Sequence, residues 1–124
     1  MANYEVRIKE SSKELSAKER IAMKDTSNAI KLDQACEGTK LTIKPTFYCI
    51  LSVHNDKAED PDYETYIVAD EDGNKYTTGS DSFWNSFKGI WDEMANESED
   101  WAIEIYKLDS KNRAGKQFLT CSIV

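Results

Sequence analysis

The chain has 124 residues, of which 40% are hydrophobic and 31% charged, enough for one domain with an ordinary hydrophobic core. It contains no run of about 18 apolar residues and no apolar segment near its start, which disfavours a membrane span and a secretory signal. The formal net charge of −7 at pH 7 argues, taken alone, against a nucleic-acid partner. Three widely spaced cysteines (Cys36, Cys49 and Cys121) predict reduced, mostly buried thiols in a cytoplasmic protein.

The charge is unevenly distributed along the chain. Acidic residues dominate between Asp56 and Asp100, whereas the two flanks of that stretch lean basic. The basic residues of the flanks are Lys40, Lys44, Lys107, Lys111, Arg113 and Lys116. This acidic protein is therefore compatible with a local cationic face.

Residues 1–38 are predicted to form an N-terminal extension that packs on the main domain or reaches a partner. Apolar and charged residues alternate in Tyr4–Lys9, which favours a short strand. Ser16 and Glu19 have the spacing of a capping box, which predicts a short helix that ends near Lys24.

The main domain is predicted to begin at residue 39 and to open with a long strand. Leu41–Asn55 is rich in β-branched and aromatic residues, and Pro45 predicts a bend or an edge position within it. One alternating set of its side chains is core-like, whereas the opposite set carries hydroxyls, Lys44, Tyr48 and His54. Long, bent first strands are typical of small barrels, where one strand serves both halves of the sheet.

A β-hairpin is predicted next. Tyr63–Ala69 and Lys75–Thr78 have strand-like composition, and Asp-Gly within Glu71–Asn74 supplies the positive φ that a tight two-residue turn requires.

The segment Ser80–Glu97 is predicted to be an amphipathic helix with Ser80 as its N-cap. Its apolar stripe is expected to fill the core and to bury Trp84, Trp91 or both. The stripe consists of Phe83, Trp84, Phe87, Ile90, Trp91 and Met94.

Two more strands are predicted after the helix, Trp101–Leu108 and Gln117–Val124, joined by the basic turn Asp109–Lys116. The resulting order, β-β-β-α-β-β, is that of the OB-fold, in which one helix closes an end of the barrel. The predicted fold class is therefore mainly β, a five-stranded OB-fold barrel at residues 39–124 preceded by the extension with its short helix.

Two runs, GNKYTTGSDSFWNSF (residues 73–87) and SKNRAGKQFLTCSIV (residues 110–124), resemble small single-stranded-DNA-binding proteins of tailed bacteriophages. The resemblance covers roughly Ala29–Val124. It depends on Gly79, Ser82, Phe83, Ser110, Lys111, Asn112, Gly115, Lys116 and Phe118. It implies an OB-fold protein that coats single strands during DNA replication or DNA recombination, in the cytoplasm of the infected bacterium.

A nucleic-acid-binding surface is the site that the sequence favours, because single-strand binding requires aromatic faces for bases and cations for phosphates. The candidate stacking residues, expected on faces opposite the core, are Tyr48, Tyr66, Tyr76, Tyr106 and Phe118. The candidate phosphate-binding and polar residues are Lys44, Lys75, Lys107, Lys111, Asn112, Arg113 and Lys116. The expected partners are single-stranded DNA and replication or recombination proteins, and self-association into a homo-oligomer stays open.

Other functions are less well supported. His54 is the only histidine and no nucleophile or phosphate-loop motif is present, so a non-enzymatic protein without a cofactor is expected. The acidic clusters at Glu59–Asp62 and Asp70–Asp72 are interpreted as solvated loops, not as divalent-metal sites. The alternative function is an OB-like protein-interaction module whose acidic surface binds a replication protein or mimics DNA.

Overall fold

The computed structural model describes residues 4–110 and 115–124, and these residues form a mainly β protein, which confirms the predicted class. The elements are β1 (Tyr4–Ser11), α1 (Ala17–Lys24), β2 (Ile30–Lys31), α2 (Leu32–Ala35), β3 (Leu41–Ile43), β4 (Pro45–Asn55), β5 (Asp62–Asp70), β6 (Lys75–Thr78), α3 (Asp81–Met94), β7 (Ile103–Asp109) and β8 (Gln117–Ile123). One sheet has the order β1-β4-β5-β6-β2 and the other β3-β7-β8. Both are open, so the described residues do not form the closed five-stranded barrel that the sequence predicts.

The chain divides into two compact units, each built from two separate stretches of sequence. The first unit consists of Met1–Ile30 and Thr46–Gly79, and the second of Lys31–Pro45 and Ser80–Val124. The residues predicted as an extension, 1–38, supply β1 and α1 to the first unit and α2 to the second.

The first unit is built on the antiparallel pairing of β1 with β4, from Tyr4 opposite Asn55 to Ser11 opposite Cys49. The apolar set of β4 points into a core, as the alternation predicts. This core consists of Leu15, Met23, Cys49, Leu51, Val53 and Ile67. Helix α1 begins at the predicted capping box, in which Ser16 Oγ accepts from the Glu19 amide at 3.2 Å and Glu19 accepts from the Ser16 amide at 3.0 Å.

The long strand predicted at residues 41–55 is two strands, β3 and β4, with the break next to Pro45. The two strands belong to different sheets, and β4 after Pro45 lies in the first unit, whereas β3 lies in the second. Proline has no amide hydrogen to donate to a ladder, so it tolerates the position where pairing to one sheet stops.

The second unit combines the sheet β3-β7-β8 with helices α2 and α3. Ser80 caps α3 as predicted, since its Oγ accepts from the Phe83 amide at 3.2 Å. Phe83, Trp84 and Phe87 are buried, whereas the later residues of the stripe are only partly buried. The predicted burial of a helix tryptophan is confirmed for Trp84.

Helix α3 is joined to β8, the edge strand of the smaller sheet. Ser82 Oγ donates to the main-chain carbonyl of Leu119 at 2.7 Å, and the hydroxyls of Ser86 and Thr120 lie 3.0 Å apart. These contacts satisfy polar groups that an edge strand would otherwise expose. Within residues 4–110 and 115–124, no helix is both long and apolar enough to cross a membrane.

Candidate nucleic-acid interface

Three of the tyrosines predicted to face outward are buried. The exposed fractions are 5% for Tyr48, 7% for Tyr66 and 5% for Tyr76. The alternation rule fails here because both alternating sets are covered, as the run of buried residues from Tyr66 to Asp70 shows. The rings of these three tyrosines are therefore not accessible to a base, which corrects the predicted outward placement.

Tyr76 has a structural role in the β5–β6 hairpin. Its hydroxyl donates to Asp70 Oδ2 at 2.8 Å, and Asp70 Oδ1 also accepts from the amides of Asp72 at 3.0 Å and Asn74 at 2.9 Å. Burial, together with the hydrogen bond to the Asp70 carboxylate, raises the pKa of Tyr76 to about 12. Asp70 is 6% exposed and organises the turn, so the prediction of a solvated loop at residues 70–72 is wrong for Asp70.

Two of the predicted phosphate-binding lysines are engaged in contacts within the protein. Lys75 Nζ donates to the carbonyls of Ala22 at 2.6 Å and Asp25 at 2.8 Å, at the C-terminal end of α1, where carbonyls lack helical partners. Lys44 Nζ pairs with Asp100 Oδ2 at 3.0 Å. Lys75 therefore stabilises a helix end in the first unit, and Lys44 is matched by an exposed carboxylate in the second.

Tyr106 is a predicted stacking residue that is partly exposed. It lies on β7 between the fully buried Ile105 and the half-buried Lys107. Its hydroxyl oxygen is 2.5 Å from Ser122 Oγ on the neighbouring strand β8, which fixes the ring along the sheet. The ammonium of Lys40 lies 5.2 Å from the centre of the ring, a cation–π distance.

A pocket of about 250 Å³ lies beside this ring, within the second unit. It is lined by Cys36, Gly38, Thr39, Lys40, Tyr106, Lys107 and Gln117. Lys40 also pairs with Glu104, with 3.2 Å between Nζ and Oε1. The side-chain amide of Gln117 donates to Asp109 Oδ1 at 3.2 Å.

The terminal hairpin places two further predicted residues in the same unit. Phe118 stands opposite Leu108 in the β7–β8 register and is 38% exposed, and Lys116 is exposed. The predicted residues Lys111, Asn112 and Arg113 lie outside the described residues.

Sequence reasoning missed Thr39, Lys40 and Gln117 as members of the site. Lys40 carried one usable signal in the sequence, because it is one of the basic residues that flank the acidic stretch. The contact of Lys40 with Tyr106 depends on strand pairing between distant parts of the chain, which the local pattern does not specify.

His54 belongs to the first unit and has a carboxylate at each ring nitrogen. Its Nδ1 is 2.7 Å from Asp62 Oδ1 and its Nε2 is 2.5 Å from Asp56 Oδ1. Both nitrogens can donate only in the imidazolium form, and the hydrogen bonds to Asp62 and Asp56 raise the pKa of His54. This arrangement favours a charged link across the β4–β5 loop over a general base.

Comparison of the chain with protein-family models, with curated proteins and with solved structures finds no match.

Proposed function

We propose that the chain is a non-enzymatic single-stranded-DNA-binding protein and that it binds through the second unit. The proposed interface, called here the Tyr106 surface, consists of Tyr106, Lys40, Lys107, Lys116 and Phe118. The observation that carries the proposal is the partly exposed Tyr106 ring, which lies under the Lys40 ammonium and next to a pocket lined by two lysines.

The Tyr106 surface has the two components that sequence-tolerant binding of single strands requires. Tyr106 and Phe118 offer aromatic faces, and stacking of one base on such a face contributes about 1–3 kcal/mol. The three lysines offer cations for phosphates. Two acidic groups beside these residues already have partners, since Glu104 is paired with Lys40 and Asp109 accepts from the side-chain amide of Gln117.

Lys40 can exchange its protein partners for a phosphate at little cost. The side chains of Lys40 and Glu104 are 65% and 35% exposed, and ion pairs at such positions contribute about 0–1 kcal/mol. An exposed cation–π contact contributes a further ~0.5–1 kcal/mol. Movement of the ammonium to a phosphate would uncover the face of Tyr106 for a base.

We extend the proposal to the protein class. The order β4-β5-β6-α3-β7-β8 has the β-β-β-α-β-β pattern of the OB-fold, and residues 73–87 and 110–124 resemble the phage proteins named above. We therefore propose a phage-type OB-fold protein that acts in DNA replication or recombination in the bacterial cytoplasm.

The test is fluorescence anisotropy with a labelled oligothymidylate of about 20 nucleotides, longer than the ~4–16 that one OB-fold covers. The parent should bind the single strand more tightly than a duplex, and the affinity should fall as salt rises. The double variant Lys107→Gln/Lys116→Gln should weaken binding and reduce the slope of log affinity against log salt by about 1.4, roughly 0.7 for each lost phosphate contact.

The matched control is Lys13→Gln/Lys18→Gln, which makes the same change of net charge in the first unit. This control should leave the salt slope unchanged. An equal loss of affinity in both double variants would show that the net charge of the protein, and not the Tyr106 surface, determines binding. If the parent does not bind the oligonucleotide at low salt, the proposed function is excluded.

A second candidate function is the acidic protein-interaction module. The observation that favours it is an open apolar groove on α3, lined by Ile90, Met94, Ile123, Glu93 and other residues of the second unit. The anisotropy experiment separates the two functions, because a protein-interaction module would not bind oligothymidylate even at low salt.

A further inference from the structure

The pocket beside Tyr106 exists because β3 is shorter than the strand it pairs with. β3 pairs with β7 from Ile103 to Ile105, whereas β7 continues to Asp109. Within the described residues, the smaller sheet has no further strand on the β3 side of residues 106–109. Instead, Gly38 turns the chain with a positive φ of 71°, and Thr39 and Lys40 form the facing wall.

The main chain of Lys107 faces the β3 side of the smaller sheet. Cys36 Sγ donates to the carbonyl of Ile105 at 3.5 Å from the β3 side, so the peptide groups of alternate residues, including Lys107, face that side. The neighbouring strand β8 supports the same direction. Leu119, the partner of Lys107, directs its carbonyl away from β7 to Ser82, so Lys107 directs its own peptide group away from β8. Lys107 therefore presents one N–H and one C=O on the side of β7 that β3 does not extend to cover, and Lys107 is one of the residues that line the pocket.

The side chains of the pocket add complementary groups. Lys40 and Lys107 bring positive charge, Thr39 brings a hydroxyl, and Gln117 brings an amide. The ring of Tyr106 supplies the aromatic wall. The volume of about 250 Å³ lies just below the ~300–1,000 Å³ of pockets for drug-sized ligands, so a ligand of one base and one phosphate suits it better than a larger cofactor.

We propose that this pocket anchors a single nucleotide of the bound strand, with its phosphate between Lys40 and Lys107. The polar edge of the base faces the Lys107 peptide group, Thr39 and Gln117. The inference rests on the proposed function and adds to it that one nucleotide is held in a built pocket while its neighbours lie on the open Tyr106 surface.

The probe is deoxythymidine monophosphate, with inorganic phosphate as the second arm, followed in 15N-labelled protein by amide chemical shifts. The amide chemical shifts of Thr39, Lys107 and Gln117 should change as the mononucleotide is added and should reach a plateau at high concentration. Phosphate alone should shift them less and bind more weakly, because it lacks the base.

Two variants with matched controls test the location. Thr39→Trp fills the pocket and should abolish mononucleotide binding, whereas Thr26→Trp, at an exposed threonine that likewise follows a helix, should not. Lys40→Gln should weaken binding about two- to fivefold, the contribution of an exposed charge pair. Lys13→Gln is the control, since Lys13 also has a carboxylate partner and an aromatic ring.

The outcomes separate this inference from the proposed function. If oligothymidylate binds the parent and Thr39→Trp equally, and the mononucleotide shifts none of the three amides, the anchoring pocket is wrong, while the proposed binding through the Tyr106 surface stands. If phosphate alone binds as tightly as the mononucleotide, the site is an anion site and the nucleotide assignment is wrong. If oligothymidylate does not bind the parent at all, the proposed function itself fails.

Discussion

The ring and the hydroxyl of Tyr106 have separable roles, and two substitutions distinguish them. Tyr106→Phe removes only the hydroxyl, which lies 2.5 Å from Ser122 Oγ. The loss of that hydrogen bond should lower the free energy of unfolding by about 0.5–1.5 kcal/mol. The aromatic face remains, so affinity for single-stranded DNA should stay within about twofold of the parent.

Tyr106→Ala removes the face itself. The lost stacking contact should reduce the binding free energy by about 1–3 kcal/mol, which raises the dissociation constant roughly five- to 150-fold. The ring is only partly buried, so the free energy of unfolding should fall by less than the ~3–5 kcal/mol typical of a fully buried aromatic residue. The variant should therefore be folded in the binding experiment.

The assay is anisotropy with oligothymidylate at low salt, paired with urea unfolding of each variant followed by circular dichroism. Ser122→Ala is the control, because it removes the same hydrogen bond and leaves the ring in place. It should match Tyr106→Phe in stability and bind DNA normally. If Tyr106→Ala is folded and binds as tightly as Tyr106→Phe, the stacking role of Tyr106 is refuted.

Three further predictions concern stability. Phe87→Ala should lower the free energy of unfolding by about 3–5 kcal/mol, since Phe87 is fully buried. Trp91→Ala should lower it less, because Trp91 is partly exposed. Equal losses for the two variants in urea unfolding would contradict the assignment of Phe87 to the core. His54 has a raised pKa, so its stabilising effect should be fully present below its unfolded pKa of about 6.5 and should disappear as pH rises through the higher folded value. The stability difference between the parent and His54→Asn should accordingly shrink as pH rises above about 6.5, and a histidine midpoint at or below ~6.5 in an NMR titration would refute this. Lys75→Met should lower the free energy of unfolding by about 1 kcal/mol, because hydrogen bonds at the end of α1 are lost. It should leave the affinity for DNA unchanged. Weaker DNA binding by this variant would show that Lys75 belongs to the interface.

The elements specified by nearby residues could be predicted from the sequence. The α3 stripe and its Ser80 cap lie within one short segment, and the positive φ predicted for the Asp-Gly turn is confirmed at Gly73. The predicted two-residue length is wrong, since residues 71–74 separate β5 from β6. In such segments, the local spacing of residues already contains the hydrogen bonds and the buried face that stabilise the element.

The features that depend on distant pairing could not be predicted in the same way. Alternation identifies which side chains of a strand share a face, but it does not reveal whether a second layer covers the other face. Alternation therefore predicts Tyr48 and Tyr66 to face outward, whereas both are buried. Local patterns likewise do not assign Lys40 to the site, because its contact with Tyr106 requires β3 to lie beside β7.

The path of the chain through its two units has a consequence for biosynthesis. Neither unit is a continuous segment, because the chain passes from one to the other after Ile30, Pro45 and Gly79. During translation β1 must wait for β4, and the first unit becomes complete only when Gly79 has left the ribosome. The segment Lys31–Pro45 must wait longer still, until β7 is synthesised to pair with β3. Closing such long loops slows folding, so nascent chains truncated before residue 103 should expose this segment to proteases.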